Sequence, residues 1–317
     1  MTLFHLLTEG TRALEQSGNP DAGNDAKQLL LAAFHLDTVH FLLNRMQELE
    51  DNDYNRSCTD LYHSMIQKRR RRIPQQQILG CQEFMGLNFY VNKHVLIPRQ
   101  DTETLVERVL EEQCGGRMPG AGCGAGTVPG HEPDGSTAPG IAGRTLLDLC
   151  TGSGCIAISL AVKGDFASVT ATDISGEALK VARRNADAHG CADRMEFLQG
   201  DLFEALAGAD VPQRFDVITS NPPYIPTAVI KTLEPEVREH EPMLALDGTE
   251  DGLHFYRRIA AEAGAFLKDG GAIYLEIGYD QGEAVSGLLR EAGYTDVLVL
   301  KDLPGNDRVV RASWTEH

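Results

Sequence analysis

The sequence predicts an α/β protein in which a seven-stranded, mostly parallel sheet ends in an antiparallel hairpin and is preceded by a small helical domain. Three observations carry this. Short apolar segments alternate with helical patterns through the second half of the chain, as buried parallel strands and their crossover helices do. The last two strand-like segments, "TDVLVLKD" and "RVVRASW", are separated only by a Gly-Asn-Asp turn. The opening region shows helical spacing and no alternating run.

Taken in order, residues 1–75 form the helical domain, with apolar groups such as Leu29, Leu30, Ala33 and Phe34 and then Leu61, Met65 and Ile66 at helical spacing. The basic run from Lys68 to Arg72 reads as the solvated end of a helix, where cations meet the negative end of the dipole and Pro74 stops the chain. Residues 76–98 are a connector in which "EFMGLNFYVN" makes a hairpin turning at Gly86. The remainder, 99–317, is the α/β domain, opening with a helix near Asp101. Between 114 and 143 lie ten glycines and four prolines, a composition that predicts a flexible surface loop. Strands then follow at "TLLDLC", "SVTATD", "MEFLQGD", "FDVITSN" and "AIYLEIG", with helices from Ser153, from Ser175 and within 251–268.

Composition narrows the function. With 317 residues, 42% of them hydrophobic, the chain is long enough for two cores. A net charge of −17 repels a phosphate backbone and argues against nucleic acid as the direct partner. Seven cysteines without a C-x-x-C pair read as reduced thiols, and no metal site is expected. No membrane-length apolar run or secretory leader is legible, so a cytoplasmic protein is expected, and as a monomer.

The chemistry starts at "LLDLCTGSGCIAISLA", where a buried strand feeds a Gly-rich turn that opens a helix. Gly152 and Gly154 allow tight turning and close approach of a ligand, and Cys150, Thr151 and Ser153 complete the turn. Gly152, Gly154 and Ala157 also fit a dinucleotide fingerprint with Asp173 to hold a ribose, so an NAD-dependent oxidoreductase stays open at this point. Asp148 before the turn suits a cationic ligand such as S-adenosylmethionine, since an anion there opposes its methionyl end. Asp173 can accept both ribose hydroxyls, and Asp201 can accept the adenine amino hydrogen while Leu202 or Phe203 packs on the ring.

The decisive segment is "FDVITSNPPYIP". An amide or aromatic amine nitrogen is a weak nucleophile because its lone pair is delocalised, so an enzyme that methylates it must orient it. The Asn221 side-chain carbonyl and the Pro222 backbone carbonyl can accept both N–H bonds of an –NH₂ group, and Tyr224 can pack on its flat face. Pro222 and Pro223 fix the turn and add no competing donor. Nothing in the sequence resembles the acid and carboxylate clamp of hydride transfer.

The motif is shared by methyltransferases acting on adenine, cytosine or glutamine nitrogens, and the flanks choose among them. "HVLIPRQDTETLVE", "DLCTGSGCIAISLA", "NPPYIP", "EPMLALDGTEDGLHFYRRI" and "LEIGYDQGEAV" together resemble the release factor glutamine methyltransferase family (PrmC, also called HemK), whose fold is the class I, Rossmann-like methyltransferase sheet with a helical N-terminal domain. The resemblance implies N5-methylation of the Gly-Gly-Gln glutamine of class-1 peptide chain release factors in translation termination, with S-adenosylmethionine as cofactor and S-adenosylhomocysteine as product. It implies that Cys150 to Gly154, Asp173, Leu202 and Asn221 line the cofactor, and that Asn221 to Tyr224 hold the glutamine, with Pro98, Arg99 and Glu103 beside the entering loop. Cys150 stands where the family often has Gly, and Leu202 where an aromatic is common. A DNA amino-methyltransferase is the alternative, opposed by the charge of −17 and by the lack of a basic target-recognition domain.

Overall fold

A computed structural model describes residues 1–114, 143–209 and 214–316, so the Gly/Pro-rich loop expected at 114–143 lies, apart from its two end residues, outside the described residues. The chain divides into two units. One holds Met1–Cys81, Val91–Lys93 and Leu233–Glu241, and the other holds Gln82–Tyr90, His94–Thr232 and Pro242–His317.

The first unit is helical: α1 (Leu3–Gln16), α2 (Ala22–Ala33), α3 (Thr38–Asn44), α4 (Asp53–Arg70) and α5 (Gln75–Leu79). Leu3, Leu6 and Leu14 of α1 recur on one face and meet Leu29, Leu30 and Ala33 of α2 and Tyr62 and Ile66 of α4. Thr2 caps α1, its hydroxyl accepting the His5 amide. Gly10 is required by close approach, because a Cβ there would lie 1.9 Å from the Tyr62 hydroxyl. The basic run is not a uniformly solvated helix end. Arg69 is 6% exposed and pairs with Asp25 at 2.5 Å and Glu236 at 2.8 Å. Arg72 grips the same Glu236 with two nitrogens, at 2.7 and 2.6 Å. Glu236 lies on α10 (Pro235–His240), which belongs to this unit although it is far along the chain.

The second unit begins with the expected hairpin, β1 (Cys81–Phe84) and β2 (Leu87–Tyr90). It continues through α6 (Gln100–Gln113), β3 (Arg144–Leu149), α7 (Cys155–Lys163), β4 (Phe166–Asp173), α8 (Gly176–Ala188), β5 (Met195–Gln199) and β6 (Phe215–Ser220). After α9 (Thr227–Ile230) come α11 (His254–Glu262), β7 (Leu267–Glu276), α12 (Gly282–Glu291), β8 (Thr295–Lys301) and β9 (Asp307–Ser313). The sheet order is β5-β4-β3-β6-β7-β9-β8. Strands β3 to β7 pair in parallel, and β9 is antiparallel to both neighbours. The terminal hairpin therefore folds back so that its second strand enters the sheet beside β7 and its first strand forms the edge.

Each face of the sheet is covered. On β3, Leu146 packs toward α6 and α7, where Leu105, Val109, Ile158 and Leu160 are buried. Leu147 and Leu149 face the opposite side, with Tyr256 and Ile259 of α11 and Val285 and Leu289 of α12. Asp148 lies between Leu147 and Leu149 and so takes the α7 face, which decides its role below. No helix among the described residues is long and apolar enough to cross a membrane.

Candidate active site

Chain order reverses at β3, whose neighbours are β4 and β6, and the carboxyl ends of these strands form a crevice there. A cavity of about 280 Å³ occupies it. Its wall includes Pro98, Arg99, Cys150, Thr151, Gly152, Ser153, Asp173, Asp201, Leu202, Asn221 and Pro223. Eleven of the residues singled out from the sequence thus line one cavity.

The Gly-rich turn explains its own composition. Cys150, Gly152 and Gly154 have φ of 57°, 56° and 80°, in the left-handed region. A Cβ on Gly152 would meet nothing within 4 Å, so that glycine serves the backbone angle and keeps the cavity side clear. A Cβ on Gly154 would lie 2.7 Å from Ile158 and 3.2 Å from Ala182, so that glycine serves the packing of α7 on α8, and it is absent from the wall. Cys150 carries a side chain in a conformation that costs a non-glycine residue about 1–2 kcal/mol.

Asp148 is fully buried and also absent from the wall. Its oxygens accept the hydroxyls of Thr219 at 2.8 Å and Thr151 at 2.7 Å, so it ties the turn to β6 from beneath. Burial pushes its carboxyl up to about 7, against the lowering effect of those two hydroxyls. Asp173 accepts the amides of Gly152 at 2.9 Å and Ser175 at 2.8 Å, one on each oxygen. Each oxygen keeps a lone pair for a hydroxyl. Its carboxyl is also raised by burial. Asp201 pairs with Arg258 through both oxygens, at 2.9 and 2.8 Å, and Arg258 shares the wall. Leu202, at φ 49°, faces the cavity, whereas Phe203 stacks on Phe266 at 4.8 Å within the core. That separates the two candidates for the ring-packing position.

The Asn221-Pro222-Pro223-Tyr224 turn leaves β6 and is held by its backbone. The Gln281 side-chain amide donates to the carbonyls of Tyr224 at 3.1 Å and Gly252 at 3.3 Å, and its oxygen accepts the Gly278 amide. A Cβ on Gly248 would lie 2.8 Å from Tyr224 backbone atoms, and one on Gly252 2.3 Å from the Tyr224 carbonyl. Pro222 and Tyr224 are not in the cavity wall. Burial raises the Tyr224 hydroxyl well above its ordinary range.

Two further differences stand out. Glu103 does not line the cavity, because its carboxylate accepts the Met85 amide at 2.5 Å and so holds the hairpin against α6. Glu276, at the end of β7, is not singled out by the sequence, yet it is 2% exposed, and the nearby side chains of Thr102 and Asn221 both favour its ionised form. The only signal for it was a lone acid closing an apolar strand.

Residues 5–80 match the family described as PrmC N-terminal domain, and residues 136–234 match the methyltransferase small domain. The chain is 40% identical over 297 residues to a release factor glutamine methyltransferase of Geobacter sulfurreducens, covering 94% of this chain and 91% of the relative. It is 37% identical over 313 residues to the protein of that name from Clostridium botulinum, covering 98% and 99%. The corresponding protein of Caulobacter vibrioides is 38% identical over 316 residues, covering 98% and 96%.

Proposed function

This chain belongs to the release factor glutamine methyltransferase family, and from that membership we propose that it methylates N5 of the glutamine in the Gly-Gly-Gln motif of class-1 peptide chain release factors, with S-adenosylmethionine as donor. The observation that carries this reading is the place of Asn221: one cavity wall holds it together with the Gly152 turn and Asp173.

The residues present fit that cofactor. The carboxyls of Asp148 and Asp173 are both raised, chiefly by burial, and the charge of Asp173 adds to the shift of Asp148. Of the two only Asp173 lies on the wall, and its buried carboxylate is a charge that a sulfonium cation in the cavity would balance. Thr151, Gly152, Ser153 and Asp173 would hold the methionyl and ribose parts, and Asp201 and Leu202 the adenine, with Arg258 sharing Asp201. When bound, the cofactor supplies an electrophilic methyl group on a sulfonium centre.

The chain's own work is positioning. Asn221 Oδ1 and the Pro222 carbonyl accept the two N–H bonds of the glutamine amide, which turns the nitrogen's lone pair toward the donor. Gln281, Gly248 and Gly252 hold the backbone of that turn fixed from behind. As the N–C bond forms and the donor's S–C bond breaks, electrostatic stabilisation falls to the same two carbonyls while the nitrogen gains positive charge, and one of its protons then leaves to solvent. A DNA amine as substrate is disfavoured by the charge of −17.

The test is methyl transfer to an unmodified release factor, followed by mass spectrometry of the Gly-Gly-Gln peptide. The wild-type chain adds one methyl group to that glutamine. Asn221→Ala loses about a hundredfold or more in kcat while cofactor Kd stays within a few-fold. Transfer to DNA at an equal rate, or full activity in Asn221→Ala, contradicts the proposal.

A further inference from the structure

Resting on the reading above, we infer that Glu276 is a positioning residue whose ionised carboxylate fixes which end of the Asn221 side-chain amide faces the substrate.

The geometry follows from the sheet. Strands β6 and β7 are parallel neighbours with Ser220 opposite Leu275, so Asn221 and Glu276 leave the sheet side by side. Asn221 lines the cavity and Glu276 sits behind it, buried. An asparagine amide has an acceptor end and a donor end of nearly equal size, and rotation about its last torsion exchanges them. Only the acceptor end toward the substrate serves a substrate –NH₂. Packing cannot choose between two ends of equal size, so a charge or hydrogen bond behind the amide must choose.

An ionised Glu276 makes that choice. Acceptor-only, it takes a hydrogen bond from Nδ2 of Asn221 and repels Oδ1, which turns Oδ1 toward the cavity. A protonated Glu276 reverses it, because its O–H donates to Oδ1 and leaves Nδ2 facing an –NH₂ that it cannot accept from. The second oxygen, Oε2, is buried and has no partner among the described residues, so a proton has an open place to reside.

The surroundings leave Glu276 free for this role. Arg308 of β9 is the cation nearby, but it already pairs with Asp302 at 3.1 Å and Asp101 at 3.2 Å. The other ionisable groups that face Glu276 are Asp101 of α6, Cys155 of α7, Tyr224 of the turn and Tyr256 of α11, whose hydroxyl donates to the Glu276 backbone carbonyl at 2.7 Å. Burial raises the Glu276 carboxyl to about 7, so its proton exchanges in the neutral range.

The test has two arms. In the first, kcat at saturating cofactor and release factor is followed from pH 5.5 to 9 for wild type and Glu276→Gln. Wild-type kcat falls on acidification with a midpoint near neutrality. Glu276→Gln lowers kcat at pH 8 by about tenfold, loses the acid limb and keeps its cofactor Kd. An acid limb that persists in Glu276→Gln overturns the inference. In the second arm, the Asn221 side-chain NH₂ resonances and the Glu276 carboxyl carbon are followed by NMR in labelled wild-type protein, which needs neither substrate nor variant. The two titrate together with one midpoint; an Asn221 amide indifferent to the Glu276 titration overturns the inference. If the chain fails to methylate the release factor at every pH, the proposed function falls, and the NMR arm still decides the role of Glu276.

Discussion

Gly252→Ala tests the claim that the catalytic turn is held from behind. Gly252 has φ +74°, and a Cβ there would lie 2.3 Å from the Tyr224 carbonyl oxygen, 2.8 Å from Gln281 Nε2 and 3.2 Å from the Tyr224 carbonyl carbon. Ordinary carbon-to-oxygen contacts are about 3.3 Å, so the carbonyl must retreat by about 1 Å. The left-handed backbone adds about 1–2 kcal/mol for alanine, less about 0.4–1 kcal/mol recovered from the unfolded chain. Overpacking adds about 1–3 kcal/mol, giving a net loss of about 1–5 kcal/mol. For a chain of this size that lowers Tm by about 2–7 °C. The larger effect is on rate, since displacing a positioning group by about 1 Å costs about a hundredfold. Gly190→Ala is the control: its φ is +66°, and a Cβ there meets nothing within 4 Å. It carries the backbone cost without the clash and keeps kcat. Methyl incorporation into a release factor and thermal unfolding of both variants give the comparison. A Gly252→Ala enzyme with kcat within threefold of wild type, or a Gly190→Ala enzyme equally slowed, refutes the reasoning.

Three other outcomes are expected. Arg69→Ala leaves the buried Asp25 without its cation, while Glu236 keeps Arg72, and breaking such a buried pair costs about 3–5 kcal/mol; urea unfolding that changes by under about 1 kcal/mol contradicts this. Asp148 has a carboxyl raised to about 7, so the folded state binds its proton more tightly than the unfolded chain does. Its contribution is therefore full in acid and declines as pH rises toward and through 7, with a slope of up to about 1.4 kcal/mol per pH unit. Asp148→Asn should flatten the dependence of Tm on pH between 5 and 8, and an unchanged slope would show that the group does not titrate there. Finally, Cys150→Gly, at φ 57°, keeps cofactor Kd within about threefold, whereas Cys150→Val, β-branched in the left-handed region, weakens it about tenfold or more; calorimetric titration with S-adenosylmethionine distinguishes them.

The parts of the site legible in the sequence are those encoded by neighbours in the chain. The turn from Cys150 to Gly154, Asp173 at a strand end and Asn221 after β6 each follow from a strand, a turn signal and a polar residue in succession. The rest depends on approaches between distant segments. Glu276 meets Asn221 only because β6 and β7 pair, and Gln281 reaches Tyr224 across 57 positions. Gly248 and Gly252 read as loop glycines, since nothing local shows that Tyr224 backbone presses against them. Arg69 reads as a surface cation in a run of five, and its burial follows from one helical position facing Asp25, plus a helix contributed from residue 235 onward. The resemblance places Glu103 beside the entering loop, but its oxygen is taken by a hairpin amide. The α12 helix carries Val285 and Leu289 one turn apart, yet the "LEIGYDQGEAV" segment that leads into it reads in the sequence only as a motif.

The division of labour within the site follows from the weakness of the nucleophile. A delocalised amide nitrogen gains little from a base, because removing its proton before transfer is harder than holding it still. On the proposed mechanism, what lowers the barrier is the direction in which two carbonyl oxygens point, and direction is set by whatever is rigid around them. Around the turn that leaves β6, the rigid elements are a glutamine amide bridging two carbonyls and two glycines in backbone contact with Tyr224, while a buried acid lies against Asn221 itself. Around the cofactor turn they are Asp148 beneath and Asp173 beside it. Most of these groups lie outside the cavity wall. If positioning is the source of the rate, substitutions in this outer layer must slow transfer by about tenfold to a hundredfold, and they must do so without a matching change in cofactor affinity when they lie behind Asn221.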